Sequence, residues 1–201
     1  DIDGLRLVTV HPETNSADPQ APCVAVLEAL AAHPAPTLLT APNSDPGGRE
    51  MRQRVKAFSE RFPAVRFHAT LGPRLYANAL RHATVMIGNS SSGIIEAGFF
   101  GLPVINVGDR QKGREHGPNV IDTANDASAV ISALDRLGRG PARLEPATCY
   151  GDGYAGSRIA NVLANLPPRE RLLRKRIAPQ ASSARVKLDP GAQRSDSPTC
   201  A

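Results

Sequence analysis

Residues 85–110 read Val-Met-Ile-Gly-Asn-Ser-Ser-Ser-Gly-Ile-Ile-Glu-Ala-Gly-Phe-Phe-Gly-Leu-Pro-Val-Ile-Asn-Val-Gly-Asp-Arg. An apolar run breaks into glycine and hydroxyl residues, a helical pattern with one carboxylate follows, and a second apolar run, 104–107, ends in Gly108-Asp109-Arg110. The pattern predicts a strand, a turn, a helix after Gly93 and another strand. Such a turn can hold an anion, because backbone N–H groups at a helix start lack partners and the helix dipole is positive there. Ser90, Ser91 and Ser92 add hydroxyl donors and Gly93 would let a ligand approach the backbone. Arg110 and Arg114 would bring full charge to the same end of the sheet, an arrangement suited to a diphosphate. The bland reading stays open, since Ser-Ser-Ser-Gly before a helix is also an ordinary capping sequence. No Gly-Lys-Ser/Thr follows, so this is not a P-loop, and G-x-G-x-x-G is absent. The elbow G-x-S-x-G is nearly matched and not completed, which fits a serine hydrolase poorly.

Outward from this unit, short apolar runs alternate with helix-period segments. Strands are expected at 5–11, 37–40, 65–69 and 84–87, with helices near 21–33, 50–61, 73–82, 127–137 and 156–166. Regular alternation of this kind means crossover units and an α/β fold, a Rossmann-like parallel sheet with helices on both faces. Ligands in such sheets bind beyond the carboxyl ends of the strands. The polar residues following the expected strands are His11, Asn43 and Asp45, His68, Ser90 and Ser91, and Arg110. All would converge on one rim.

Charge locates the rest of the chain. The formal net charge is +5 over 201 residues, yet residues 1–166 carry 16 Lys/Arg against 16 Asp/Glu. Residues 167–201, with 8 against 3, supply the whole excess. A neutral lobe with few aromatics gives a nucleic-acid surface little support. Residues 1–166 are therefore expected to form one lobe. Residues 167–201 are expected to be a basic tail, a helix extension over 169–177 followed by disordered chain. Cys23, Cys149 and Cys200 stand far apart in no Cys-x-x-Cys arrangement, which indicates neither a disulfide framework nor a zinc site and agrees with a reducing, cytoplasmic setting. No apolar stretch approaches the roughly 18 residues of a membrane span. No signal peptide opens the chain, and Asp-Ile-Asp-Gly running straight into a strand is an unusual start for a complete protein.

Taken together, five stretches resemble the UDP-N-acetylglucosamine 2-epimerase family, specifically its hydrolysing branch. They are Val-Thr-Val-His-Pro-Glu-Thr (8–14), Ala-Pro-Asn-Ser-Asp-Pro-Gly-Gly-Arg (41–49), Ile-Gly-Asn-Ser-Ser-Ser-Gly-Ile-Ile-Glu (87–96), Pro-Val-Ile-Asn-Val-Gly-Asp-Arg-Gln-Lys-Gly-Arg (103–114) and Tyr-Gly-Asp-Gly (150–153). The likeness covers about Leu5 to Leu166. It implies the C-terminal lobe of a GT-B two-lobed fold, without the N-terminal lobe that supplies the family's catalytic carboxylates.

The resemblance assigns roles, each beside a plainer alternative. Glu96 matches a glutamate that binds both ribose hydroxyls; otherwise it is a first-turn carboxylate favouring the helix dipole. Arg110 matches the arginine on the diphosphate and Ser90 and Ser91 the serine contacts, while Arg114 and Gln111 could simply brace the loop. His11 matches a functional histidine whose neutral-range pKa would let it exchange protons or donate a hydrogen bond; a lone histidine is more often structural. Asn43 matches a polar nucleotide contact or forms a turn after Pro42. His68 lies where the family holds uracil, and Asp45 reads as a turn residue near the cleft.

The implied reaction is hydrolysis of UDP-GlcNAc with C2 epimerisation to N-acetylmannosamine and UDP, requiring no metal and no redox cofactor. The implied partners are UDP-GlcNAc or UDP and a separately encoded N-terminal lobe, with no nucleic acid and no membrane. A lobe cut from its partner exposes the cleft wall, an arrangement compatible with homo-oligomers. Two rival readings are a truncated, non-catalytic UDP-sugar-binding module and a GT-B glycosyltransferase lobe.

Overall fold

The computed structural model describes residues 4–140, 143–147 and 149–174. The chain divides into two units, one ending at Tyr150 and the second beginning at Gly151.

The first unit is built on six parallel strands: β1 (Arg6–Thr9), β2 (Thr37–Thr40), β3 (Val65–His68), β4 (Val85–Gly88), β5 (Val104–Val107) and β6 (Val120–Thr123). Their spatial order is β3-β2-β1-β4-β5-β6. Between them run α1 (Ala21–Ala32), α2 (Gly48–Arg61), α3 (Gly72–His82), α4 (Ser91–Ile95) with a 3-10 turn (Ala97–Phe100), and α5 (Ala127–Leu137) after β6. Adjacent residues of the central strands point to opposite layers. Val8, Ile87 and Ile105 pack with Val26, Leu30, Met51 and Val130, whereas Leu7, Met86 and Val104 pack with Leu80, Ala97 and Leu102. Burial on both faces is why β1, β4 and β5 read as continuous apolar runs rather than alternating ones.

The α/β expectation holds, with two local corrections. Strand β6 was not foreseen. It is a half-exposed edge strand with only Val120 and Ile121 as apolar residues, too brief for a periodicity to register. The helix expected after Gly93 instead begins at Ser91 and contains Gly93. A Cβ on Gly93 would lie 2.9 Å from Val104 Cγ1 and 3.7 Å from Met86 Sδ. Gly93 is thus a packing glycine that lets α4 close on the sheet, not an opening for a ligand.

Arg143 ties a later segment to the same layer. Its guanidinium donates to the carbonyls of Leu80 at 3.1 Å, Ala83 at 2.7 Å and Phe100 at 3.2 Å, and also to that of Arg81. The carbonyls that α3 leaves unpaired at its C-terminus thereby gain a charged donor.

The second unit holds α6 (Ala155–Ala164) and α7 (Arg169–Leu173). Asp152 of the Tyr-Gly-Asp-Gly stretch accepts the Tyr154 N–H at 3.1 Å and pairs with Arg158 at 2.5 Å. The Arg158 bond, with the Tyr154 amide second, brings the Asp152 carboxyl down to about 2. Most of the expected basic tail, residues 175–201, lies outside the described residues. Cys23 is buried and free, its thiol pushed up to about 12 by burial. No described helix is long and apolar enough to cross a membrane.

Candidate functional site

The strand order reverses between β1 and β4, which continue to β2 on one side and β5 on the other. Loops leaving these two strands diverge and leave a crevice at the carboxyl edge. Asn89, directly after β4 and fully buried, closes its floor. Asn89 Oδ1 accepts the His11 N–H at 2.7 Å, and its Nδ2 donates to the His11 carbonyl at 2.9 Å. The Asn89 carbonyl accepts Arg110 Nη1 at 3.2 Å and Gln111 Nε2 at 2.8 Å. Ser90 is the next residue, so the serine turn and the Arg110 guanidinium meet at one carbonyl. Arg110 Nη2 lies 3.7 Å from Asp45 Oδ2, which also accepts Asn43 Nδ2 at 2.5 Å.

His11 sits inside this group. Its Nδ1 accepts the Asn43 N–H at 3.0 Å, which fixes the neutral tautomer with the proton on Nε2. Burial first and the Arg110 cation second, with Asp45 opposing both, bring its pKa down to about 4. The expected neutral-range titration is therefore replaced by a ring held neutral. What His11 offers at pH 7 is an Nε2–H donor.

Ser90 caps α4, its hydroxyl oxygen accepting the Ser92 N–H at 3.3 Å. With only five residues, α4 has little macrodipole. Anion affinity at this turn must come from hydroxyls, local N–H groups and Arg110. Glu96 is not in a first turn; it is the C-cap of α4, and its Oε2 accepts the Ser92 hydroxyl. Behind Ser92, the Tyr76 hydroxyl interacts with Ser92 and Thr9 at the floor, and burial raises its pKa.

The other candidates are less drawn together. His68 is exposed at the end of edge strand β3, two strands from β1, a lateral offset of roughly 10 Å. Arg114 is exposed, its backbone N–H closing a turn to Gln111 at 3.1 Å. Ser91 is half-buried beside Ser90. A cleft of about 310 Å³ lined by Thr40, Thr70, Gly72, Pro73 and Tyr76 lies beyond β2 and β3. A second, about 420 Å³, lies on the far side of Arg110, against Glu13, Thr14, Ser16, Asp109 and Asn125. Among the described residues no group of three or more His, Cys, Asp or Glu could hold a metal ion.

Asn89, Glu13, Asn125 and Tyr76 escaped the sequence reading. Asn89 and Glu13 lie inside quoted motifs, but an Asn after a strand reads as a turn former and a Glu in a loop as solvated. The one usable signal was position: Asn89 immediately follows β4 and Glu13 lies in the loop after β1, both on the binding rim.

Comparison with known proteins agrees with this architecture. The profile of UDP-N-acetylglucosamine 2-epimerase matches residues 3–164. The UDP-N,N'-diacetylbacillosamine 2-epimerase (hydrolyzing) of Legionella pneumophila is 34% identical over 172 residues, covering 85% of this chain and 45% of that protein. The GDP/UDP-N,N'-diacetylbacillosamine 2-epimerase (hydrolyzing) of Campylobacter jejuni is 35% identical over 135 residues, covering 65% of this chain and 35% of that protein. The S. aureus MnaA–UDP co-structure superposes with a TM-score of 0.59 at 21% identity, covering 79% of this chain and 45% of that one. The fold is thus that of one lobe of a GT-B-like protein, and the chain spans less than half the length of these relatives. By the extent of the profile match and the continuity of its motifs, the chain belongs to the UDP-N-acetylglucosamine 2-epimerase family.

Proposed function

We propose that this lobe binds the UDP of UDP-N-acetylglucosamine or a related N-acetylated UDP sugar, as the nucleotide half-site of a hydrolysing 2-epimerase. The observation that carries the reading is the meeting of Arg110 and the serine turn at the Asn89 carbonyl, in the crevice where such sheets bind nucleotides. The diphosphate would lie over Ser90, Ser91 and Arg110, with Arg114 reaching it from the loop beyond. The ribose would face Glu96, and the base would occupy the cleft lined by Thr70 and Tyr76, near His68. Asn43 and the His11 Nε2–H would donate from the opposite wall.

In the reaction, a carboxylate supplied by the remainder of the protein removes the C2 proton of the sugar. The C1–O bond breaks with departure of UDP, leaving a glycal. Water then adds across that double bond, the proton returning to the opposite face of C2 and hydroxyl to C1. Negative charge grows on the diphosphate as the bond breaks, and Ser90, Ser91 and Arg110 stabilise it without rearranging. The carboxylates that act on the sugar belong, in the family, to the N-terminal lobe, and the share of the reaction proposed for this lobe is to hold the departing UDP.

Calorimetry with UDP tests the binding. Arg110→Ala should weaken it at least tenfold, about 1.4 kcal/mol. Glu96→Gln should weaken UDP more than 2'-deoxy-UDP. An unchanged affinity for the first removes Arg110 from the site; equal losses in the second remove ribose recognition. Assay of UDP release from UDP-GlcNAc, with and without a separately expressed N-terminal lobe, separates the half-enzyme from a plain binding module.

A further inference from the structure

We propose that Glu13 is a positioning residue for the anion site, acting through the backbone of Arg110; its effect on ligand rests on the UDP reading above. Glu13 lies in the loop after β1 and is 6% exposed. Its Oε1 accepts the Arg110 N–H at 2.9 Å, across 97 residues of sequence. Its Oε2 accepts Asn125 Nδ2 at 2.9 Å, across 112. One carboxylate thus ties together the loops that leave β1, β5 and β6. Gly108 makes the approach feasible, since with φ at +80° it has no side chain where a Cβ would stand 2.3 Å from Glu13 Oε1. Arg110 is consequently held at both ends, its amide on Glu13 and its guanidinium on the Asn89 carbonyl.

Burying a carboxylate costs desolvation that two N–H donors only partly return. What it supplies here is one acceptor oxygen for each of two donors that arrive from different loops. Gln at position 13 would keep the Arg110 bond, its NH₂ turning to the Asn125 side-chain oxygen, which has no partner among the described residues. With Ala at position 13 both acceptors are gone. The Arg110 segment then loses its anchor and the guanidinium its fixed place over the serine turn.

The experiment is a double-mutant cycle in the full chain, reading the Kd for UDP in wild type, Glu13→Ala, Arg110→Ala and the double variant. The expected result is a rise of about fivefold from Glu13→Ala when Arg110 is present, and of less than about twofold when it is absent. Equal losses in both backgrounds would mean Glu13 supports only the fold, and would overturn the proposal. Should Glu13→Ala fail to fold, Asn125→Ala takes its place: a smaller rise that again vanishes without Arg110 supports positioning, and an uncoupled one overturns it. Amide hydrogen exchange at Arg110 separates this inference from the UDP reading. If wild type binds no UDP, that reading fails by itself. Faster exchange at Arg110 in Glu13→Ala would still uphold the anchoring, and unchanged exchange would end it.

Discussion

The Asn89 side chain grips the backbone of His11 on both sides, accepting its N–H at 2.7 Å and donating to its carbonyl at 2.9 Å. This pair of bonds spans the point where the sheet changes winding direction and holds the two central loops at a fixed separation. Replacing Asn89 by Ala leaves a buried donor and a buried acceptor unpaired, costing about 2–4 kcal/mol of unfolding free energy. Asn89→Asp should recover only part of it, because a carboxylate can accept from the amide but offers nothing to the carbonyl. Urea denaturation of the three proteins decides this; equal midpoints would mean water replaces the clamp.

His11 gives the fold a pH dependence of known sign. Its folded pKa is about 4, below the ordinary value of 6.5, so between these limits the unfolded chain binds the extra proton. Stability therefore rises with pH across that window, is complete above about 6.5 and is lost toward 4. His11→Asn keeps an acceptor near the Asn43 amide but cannot titrate. Unfolding free energy measured from pH 4 to 7 should slope upward less steeply in this variant than in wild type, and parallel curves would refute the assignment.

Gly93 and Val104 form a tight contact that can be tested as a pair. Gly93→Ala puts a methyl where Val104 Cγ1 already lies 2.9 Å away, an overpacking cost of about 1–3 kcal/mol. Val104→Ala removes that methyl and leaves a void. The double variant should be more stable than the sum of the two changes predicts, as read from thermal unfolding. Strict additivity would show that α4 shifts freely.

Arg143 is expected to contribute to stability beyond an ordinary surface arginine. Its planar guanidinium spans the carbonyls of Leu80, Ala83 and Phe100 at once, whereas a lysine ammonium is a compact point donor. Arg143→Ala should lower unfolding free energy by about 1–3 kcal/mol and Arg143→Lys by a smaller amount. A melting temperature unmoved by both would make these contacts energetically idle.

The layered fold was legible because a parallel sheet buried on two faces writes itself as short apolar runs, and 85–87 and 104–107 are such runs. Edge strand β6 was not, since pairing with one neighbour and half-exposure ask for few apolar residues. The convergence of His11, Asn43, Ser90 and Arg110 followed from topology alone, strand ends being the only information needed. The state of His11 did not, because its pKa depends on burial and on Arg110, which sequence spacing cannot weigh. Glu13 and Asn89 were hidden for a related reason: the side chain of each bonds to partners at least 78 residues distant. Gly93 reads in the sequence as an opening for a ligand, and only its distance to Val104 reveals a packing glycine.

The tethering of the Arg110 side chain bears on how quickly and how strongly an anion is captured. A long cationic side chain normally surrenders rotamer freedom at the moment it docks a ligand. Here that freedom is already gone when the chain folds, removed by a neighbouring peptide oxygen and one acidic side chain. In the proposed complex with UDP, association would reorder little protein, so its entropy change should reflect mainly released solvent and the nucleotide's own stiffening.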